Sequence, residues 1–179
     1  MARAVVINGS GRKNGHTAAM CDSASSVLDG FCTVDRFDVC DMDIADCDGC
    51  DGCFRKGCVH KDDMRLIMDA VRRCDILILA SPLRFDGPSS QIKRAMDRFQ
   101  EAWNNHWEDM PGQCIVMICA GRHRVDFTAA ELIFKRFCKS LGIEKTAFIE
   151  ICGTDDNDPS VTAAESKKAL ESVFGADAA

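Results

Sequence analysis

Four cysteines fall within a twelve-residue segment that reads Cys-Asp-Gly-Cys-Asp-Gly-Cys-Phe-Arg-Lys-Gly-Cys, and they are Cys47, Cys50, Cys53 and Cys58. Thiolates at this density can ligate a metal, and three of them at successive x2 spacing are typical of segments that hold iron–sulfur clusters. Zinc is a second interpretation, although four-cysteine zinc sites usually join two Cys-x2-Cys pairs across a longer spacer. Disulfides or unliganded thiols are a third, because such dense cysteines invite oxidation when no metal holds them.

A second candidate site follows the first apolar run of the chain, in the segment Asn-Gly-Ser-Gly-Arg-Lys-Asn-Gly-His-Thr at 8–17. Its small residues let backbone N–H groups face inward, and its hydroxyls and basic side chains stand before a helix, so the segment should bind a phosphate. It is neither the dinucleotide fingerprint, which needs a third glycine, nor a Walker A sequence, which needs Gly-Lys-Ser/Thr. An ordinary glycine-rich turn between a strand and a helix is the alternative interpretation.

Two further loops follow apolar runs at 76–80 and 114–120. The first, Ser-Pro-Leu-Arg-Phe-Asp-Gly-Pro at 81–88, is made rigid by its two prolines. The other, Ala-Gly-Arg-His-Arg at 120–124, has small residues that allow the backbone to approach a planar ring, and basic residues that would attract phosphates or an acidic partner. A solvated basic turn is the alternative interpretation of this last loop.

The apolar runs predict a parallel sheet, because continuous apolar segments of strand length are typical of strands buried on both faces. Segments with helical spacing separate them, and right-handed crossovers then place helices on both faces of the sheet. We predict a flavodoxin-like α/β three-layer sandwich with five strands in the order 2-1-3-4-5, in which ligands bind at the carboxyl ends of the strands. The strands are predicted at 4–7, 32–39, 76–80, 114–120 and 147–152. A single domain is expected over residues 1–179, with a cysteine-rich loop at 41–61.

The loops at 8–17 and 81–98 resemble two motifs of the NADPH-dependent FMN reductase and iron–sulfur flavoprotein family. These motifs are Gly-Ser-x-Arg-x-x-Gly-Asn-Thr and Ser-Pro-Val-Tyr-Phe-x-x-x-Ser-x-x-Leu-Lys-x-x-x-Asp-Arg. The resemblance implies that the first loop wraps the FMN phosphate, and that the second lies along the isoalloxazine ring with the loop at 120–124 as a third wall. His16 stands where the family usually has Asn, and Arg84 where it commonly has Tyr. The implied FMN ligands are Ser10, Arg12, Asn14, His16, Thr17, Pro82, Leu83, Arg84, Phe85, Ala120 and Gly121.

The cysteine segment, with the Asp-Asp-Met that follows it at 62–64, resembles the compact cluster motif of iron–sulfur flavoproteins. The resemblance implies a [4Fe–4S] cluster held by Cys47, Cys50, Cys53 and Cys58. The last spacing is x4 in this chain, where that family commonly has x5.

The composition excludes some partners. The chain carries 22 basic and 28 acidic residues and a net charge of −6, which argues against general binding to nucleic acid or to anionic membranes. No apolar run approaches the roughly 20 residues of a membrane span, and the first residues form a strand-like segment rather than a signal peptide. The protein is therefore expected to be cytoplasmic.

Together the motifs and the resemblance predict an FMN-binding oxidoreductase. It would take electrons from NAD(P)H, or from ferredoxin through the cluster, and pass them to a flavin, quinone or protein acceptor, with the cofactor supplying the chemistry. The resemblance also implies a homodimer or homotetramer. The alternative is a non-catalytic flavodoxin-like electron carrier, or a redox regulator based on zinc or thiols.

Overall fold

A parallel sheet organises the protein, whose structure is a computed structural model that describes residues 1–176. The strands are β1 (Ala2–Asn8), β2 (Cys32–Asp38), β3 (Ile76–Pro82), β4 (Gln113–Cys119) and β5 (Lys145–Ile151). They are hydrogen-bonded in the order β2-β1-β3-β4-β5, and all neighbouring pairs are parallel. The predicted flavodoxin-like fold and strand order are confirmed. The assignment of residues 1–179 to one domain stays a prediction, and residues 177–179 lie outside the described residues.

Helices connect the strands and cover both faces of the sheet. They are α1 (His16–Leu28), α2 (Met64–Val71), α3 (Ser90–Arg98), α4 (Gln100–Asn104), α5 (Thr128–Ser140) and α6 (Pro159–Ala176). The short helix α4 was not predicted, because five residues are too few to show helical periodicity. Helix α6 begins directly after Asp158, whose carboxylate accepts a hydrogen bond from the Ser160 N–H at 2.9 Å and caps the helix.

Alternate residues of each central strand point to opposite faces of the sheet. Val5 and Ile7 of β1 pack with α2, α3 and α5, whereas Ala4 and Val6 pack with α1 and α6. These four residues are at most 1% exposed. Burial on both faces is the reason that the central strands read as continuous apolar runs.

Helix α3 begins against the loop that follows β1. The Ser89 hydroxyl caps α3 by accepting from the Ile92 N–H at 3.3 Å, and it donates to the Gly9 carbonyl at 2.6 Å. The Gly9 N–H in turn donates to the Ala80 carbonyl at 2.8 Å. The first two predicted loops are therefore fastened to each other where the strands end.

Helix α3 ends against the segment between β2 and α2. The buried Arg98 donates from Nη1 to the Ala45 carbonyl at 2.9 Å and from Nη2 to Asp62 Oδ1 at 3.1 Å. Asp62 also accepts from the Ala45 N–H at 2.9 Å. Residues before and after the four cysteines are thus held together by one guanidinium group from α3.

None of the helices described between residues 1 and 176 combines the length and apolar character that crossing a membrane requires.

Because Gly9 lies close to α3, adding one methyl group at position 9 should destabilise the protein. A Cβ at position 9 would lie 2.6 Å from Ile92 Cβ, so Gly9→Ala should lower the free energy of unfolding by about 1–3 kcal/mol. Gly30→Ala is the matched control, because nothing lies within 4 Å of a Cβ there. Urea unfolding followed by circular dichroism measures both, and equal stabilities of the two variants would contradict this packing.

The protein should lose stability in acid, because the pKa of the Asp62 carboxylate is lower in the folded protein than in the unfolded chain. Burial alone would raise its pKa, but hydrogen bonds from Arg98 and from the Ala45 N–H outweigh burial and lower the pKa to about 2. The unfolded chain has an ordinary Asp pKa of about 3.9. The stabilisation is therefore complete above about pH 4 and is lost as the pH falls towards 2.

Asp62→Asn should cost about 3–5 kcal/mol at pH 7, because it leaves the buried Arg98 without a counter-charge. The difference from the wild-type protein should shrink below pH 4, because the unfolded wild-type chain then binds a proton at Asp62 and the folded protein loses the advantage of its charged carboxylate. Denaturant unfolding at pH 7 and pH 3 measures it, with the exposed Asp69→Asn as control. A difference between the wild-type protein and Asp62→Asn that is independent of pH would contradict the assignment.

Candidate functional site

Two adjoining cavities lie at the carboxyl edge of the sheet. The first has a volume of about 290 Å³ and is bordered by Ser10, Arg12, His16, Thr17, Pro82 and Arg84. The second has a volume of about 450 Å³ and is bordered by Leu83, Phe85 and Ala120. Gly121 borders both cavities. The residues predicted to bind FMN are thus brought together, with the exception of Asn14, which is exposed and borders neither cavity.

Asn8, at the end of β1, fixes the start of the loop along the first cavity. It is 1% exposed, its Nδ2 donates to Asp38 Oδ1 at 2.6 Å, and its Oδ1 accepts from the Ser10 N–H at 3.0 Å. Burial favours the neutral acid at Asp38, yet hydrogen bonds from Arg36 and Asn8 outweigh it and lower the pKa. A charged carboxylate therefore orients Asn8, and Asn8 orients the loop.

His16 and Thr17 open α1 at the floor of the first cavity. His16 Nδ1 lies 2.8 Å from Thr162 Oγ1 on α6, so Nε2 is the ring nitrogen that a ligand could contact. The buried Thr17 hydroxyl lies 3.2 Å from Cys119 Sγ. Burial raises the pKa of the Cys119 thiol, so this pair is a neutral hydrogen bond at physiological pH.

The loop after β3 ends in a tight turn. Arg84 and Gly87 exchange two backbone hydrogen bonds of 2.9 Å, and the two residues between them, Phe85 and Asp86, have φ values of 46° and 60°. This is the geometry of a type I′ turn, which normally carries Asn or Gly at both positions. Phe85 is fully exposed at its tip. Arg84 is exposed as well, yet it borders the first cavity.

The connection between β5 and α6 supplies a wall that the sequence analysis missed. Thr154, Asp155 and Asn157 border the first cavity, and the Thr154 and Asp155 N–H groups donate at 3.1 Å to the carbonyls of Ala120 and Gly121. A Cβ at position 121 would overlap the Asp155 carboxylate, so any larger residue there would have to displace the Asp155 side chain. The signal was available, because this polar segment directly follows a strand whose carboxyl end shares the edge of the sheet.

The four cysteines of the predicted ligand set are not gathered at one point. Cys47 and Cys50 are exposed, whereas Cys53 and Cys58 are half-buried. Within residues 1–176, no three His, Cys, Asp or Glu side chains stand where they could hold one metal ion. The role of these cysteines as ligands stays a prediction.

The surroundings of the cysteines nevertheless fit thiolate ligands. Asn104 Nδ2 lies 3.0 Å from Cys53 Sγ, and Arg98 Nη2 lies 3.3 Å from Cys58 Sγ. N–H donors of this kind are the usual outer partners of metal-bound sulfur. Within the loop, His60 Nε2 is buried without a hydrogen-bond partner among the described residues and lies 3.6 Å from Asp48 Oδ2. The chemistry of the donor set therefore suits a metal centre.

Comparison with known proteins identifies relatives of this chain. Residues 2–137 match the sequence model of the family described as NADPH-dependent FMN reductase. An iron–sulfur flavoprotein of Archaeoglobus fulgidus is 38% identical over 99 residues, which are 54% of this chain and 44% of the relative. An iron–sulfur flavoprotein of Methanocaldococcus jannaschii is 31% identical over 98 residues, which are 54% of this chain and 51% of the relative. The chain spans about half the length of these curated relatives.

Solved structures share the fold at low sequence identity. An FMN-dependent NADH-azoreductase from Bacillus anthracis, solved in complex with FMN, superposes with a TM-score of 0.69 and 15% identity, covering 100% of both chains. An NAD(P)H:quinone oxidoreductase from Methanothermobacter marburgensis gives a TM-score of 0.67 and 14% identity, covering 94% of this chain and 92% of that one.

The matched residues 2–137 include the loops after β1, β3 and β4 and the whole cysteine segment. The match therefore covers most of the chain and every residue that the sequence predicted for the site. The chain belongs to the NADPH-dependent FMN reductase family.

Proposed function

We propose that this chain is an FMN-binding oxidoreductase that passes electrons from NAD(P)H or ferredoxin to a flavin, quinone or protein acceptor. The observation that carries the proposal is the convergence of three loops on two joined cavities, in a chain of the FMN reductase family. FMN, when bound, accepts a hydride or single electrons, and the protein binds and orients it.

The first cavity suits the FMN phosphate. Arg12, His16 and Arg84 border it and provide basic groups. Helix α1 starts after Gly15, which has no side chain to cap the helix. The N–H groups of the first turn are consequently left for an anion, which the helix dipole also favours. Ser10 and Thr17 would add hydroxyl contacts, and Asn14 would have to move to take part.

The second cavity suits the flavin ring. Leu83, Phe85 and Ala120 border it, and Pro82 borders the adjoining first cavity. Gly121 lies at the junction of the cavities, where the missing side chain leaves room for a planar group. Arg84 borders the first cavity and lies in sequence between Leu83 and Phe85 of the second, so its positive charge would meet the negative charge of the phosphate or of a reduced ring.

The cysteine loop, residues 41–61, would hold a [4Fe–4S] cluster on Cys47, Cys50, Cys53 and Cys58. The half-buried pair already receives N–H donors, whereas the exposed pair would have to close over the metal. Zinc bound by the same thiols is the alternative, and analysis of iron, acid-labile sulfide and zinc in the purified protein separates the two.

We further propose a homodimer or homotetramer in the cytoplasm. Trp103 of α4 is 50% exposed beside a cleft of about 260 Å³ formed with α3 and α5, and exposed tryptophan is typical of interfaces. A reducing compartment would keep the thiols of the cysteine loop available as ligands.

Arg12→Gln should weaken FMN binding by about tenfold or more, because a charge-assisted hydrogen bond to the phosphate is lost. Riboflavin, which lacks the phosphate, should bind both proteins equally. Lys13→Gln is the matched control, since Lys13 pairs with Asp41 at 3.1 Å and does not border the first cavity. Titration of apoprotein followed by flavin fluorescence measures the affinities. Failure of the wild-type protein to bind FMN would refute the proposed function.

The FMN-loaded protein should oxidise NADH or NADPH in the presence of added flavin or quinone, at a rate that falls in proportion to FMN occupancy in Arg12→Gln. Loss of the ultraviolet absorbance of the reduced nucleotide is a direct assay. A protein that binds FMN and titrates reversibly with single electrons, but gives no nucleotide turnover, would instead be a non-catalytic electron carrier.

A further inference from the structure

We propose that Asn104 and Arg98 are positioning residues that hold the sulfur atoms of Cys53 and Cys58 and set the reduction potential of the metal centre. The inference rests on the cluster of the proposed function, and it assigns a role to two side chains outside the cysteine loop.

The orientation of the Asn104 amide follows from its two contacts. Gln100 Nε2 donates to Asn104 Oδ1 at 2.8 Å, and Nδ2 is the atom that faces Cys53 Sγ at 3.0 Å. A metal-bound sulfur can only accept, so a ligand at Cys53 requires this orientation. The Gln100 contact spans one helical turn of α4. The amide is therefore held as a donor towards sulfur before any metal binds.

Arg98 offers the second donor from the protein interior. Its side chain is 1% exposed. The guanidinium group binds Asp62 with both Nη1 and Nη2, and Nη2 also reaches Cys58 Sγ at 3.3 Å. Arg98 Nε is buried without a hydrogen-bond partner among the residues described. Asp62 gives the guanidinium group one negative partner, and a metal-bound thiolate at Cys58 would give this buried cation a second.

The physical consequence concerns charge. A reduced iron–sulfur cluster carries one more electron than the oxidised cluster, and part of that negative charge resides on the ligand sulfurs. Donors pointed at those sulfurs stabilise the reduced form more than the oxidised form, and their effect is large where water is excluded. Removal of a donor should therefore lower the reduction potential.

Asn104→Leu, with Asn105→Leu as its matched control, tests the inference. The neighbouring Asn105 Nδ2 donates to the carbonyls of Cys53 and Glu101 at 3.0 and 2.7 Å, not to sulfur. Each protein is purified or reconstituted anaerobically, and its iron and sulfide contents are measured. Its cluster is then titrated with dithionite, and electron paramagnetic resonance follows the reduced form to give the reduction potential. Asn104→Leu should lower the equilibrium constant of cluster reduction by about three- to tenfold, where tenfold equals about 59 mV for one electron. Asn105→Leu should leave it unchanged.

Arg98→Lys extends the test to the buried cation. Lysine keeps the charge near Asp62 but lacks the planar group that reaches the carboxylate and sulfur together. A lowered potential with an unchanged iron content is expected. If Arg98→Lys fails to fold, the potentials of Asn104→Leu and Asn105→Leu are sufficient to test the inference.

Three results would overturn the inference. Equal potentials in Asn104→Leu, Asn105→Leu and the wild-type protein would show that the sulfur contact has no electronic role. Equal loss of iron from Asn104→Leu and Asn105→Leu would show that Asn104 only anchors the cysteine loop, as Asn105 does. A wild-type protein that assembles no cluster would overturn both this inference and the cluster of the proposed function, whereas the FMN titration would stand independently.

Discussion

The buried ion pair between Arg98 and Asp62 is the interaction on which the arrangement of the cysteine loop depends. It joins the end of α3 to residues on both sides of the four cysteines, because Asp62 and the Ala45 backbone share the same guanidinium group. Burial of two charges costs free energy that their attraction barely offsets, so such pairs specify an arrangement more than they stabilise it. Here the specified arrangement is a closed loop whose ends are fixed while its centre, with Gly49, Asp51 and Gly57 at positive φ, turns sharply between the cysteines.

Helix α3 connects this loop to the cavities. Its first turn is fastened to Gly9 through Ser89, and its last residue is Arg98. Nine helical residues span about 13 Å, so the proposed flavin phosphate site and the proposed metal site are separated by one rigid element. The sheet supplies the remaining order, because parallel strands end at one edge and place their loops side by side. Fixed geometry between the two sites is what electron transfer within one chain requires.

The sequence was sufficient to predict the sheet, because strands buried on both faces leave apolar runs that no helix of this protein imitates. Polar ends of the strands, such as Asn8, Gln113 and Lys145, were outside the predicted bounds, since backbone pairing continues beyond the last apolar residue. The loops after β1, β3 and β4 could be predicted because topology puts them together. The contacts of Arg98 and Asn104 with cysteines 40 and 51 positions away could not, because nothing in local periodicity reports such pairs. Asn14 is exposed in the described loop, and its role as an FMN ligand stays a prediction that rests on the motif alone.

The turn at Phe85 and Asp86 lowers the stability of the protein but places an aromatic side chain where a ligand in the second cavity could contact it. Left-handed backbone at two residues with side chains costs on the order of 1 kcal/mol each, and Asn-Gly at the same positions would remove most of that cost. The chain instead retains a benzene ring at the mouth of the second cavity. Laboratory evolution selected for thermal stability alone should replace Phe85 and Asp86 with Asn-Gly. Selection that also requires activity should retain Phe85 and Asp86 in spite of their backbone strain.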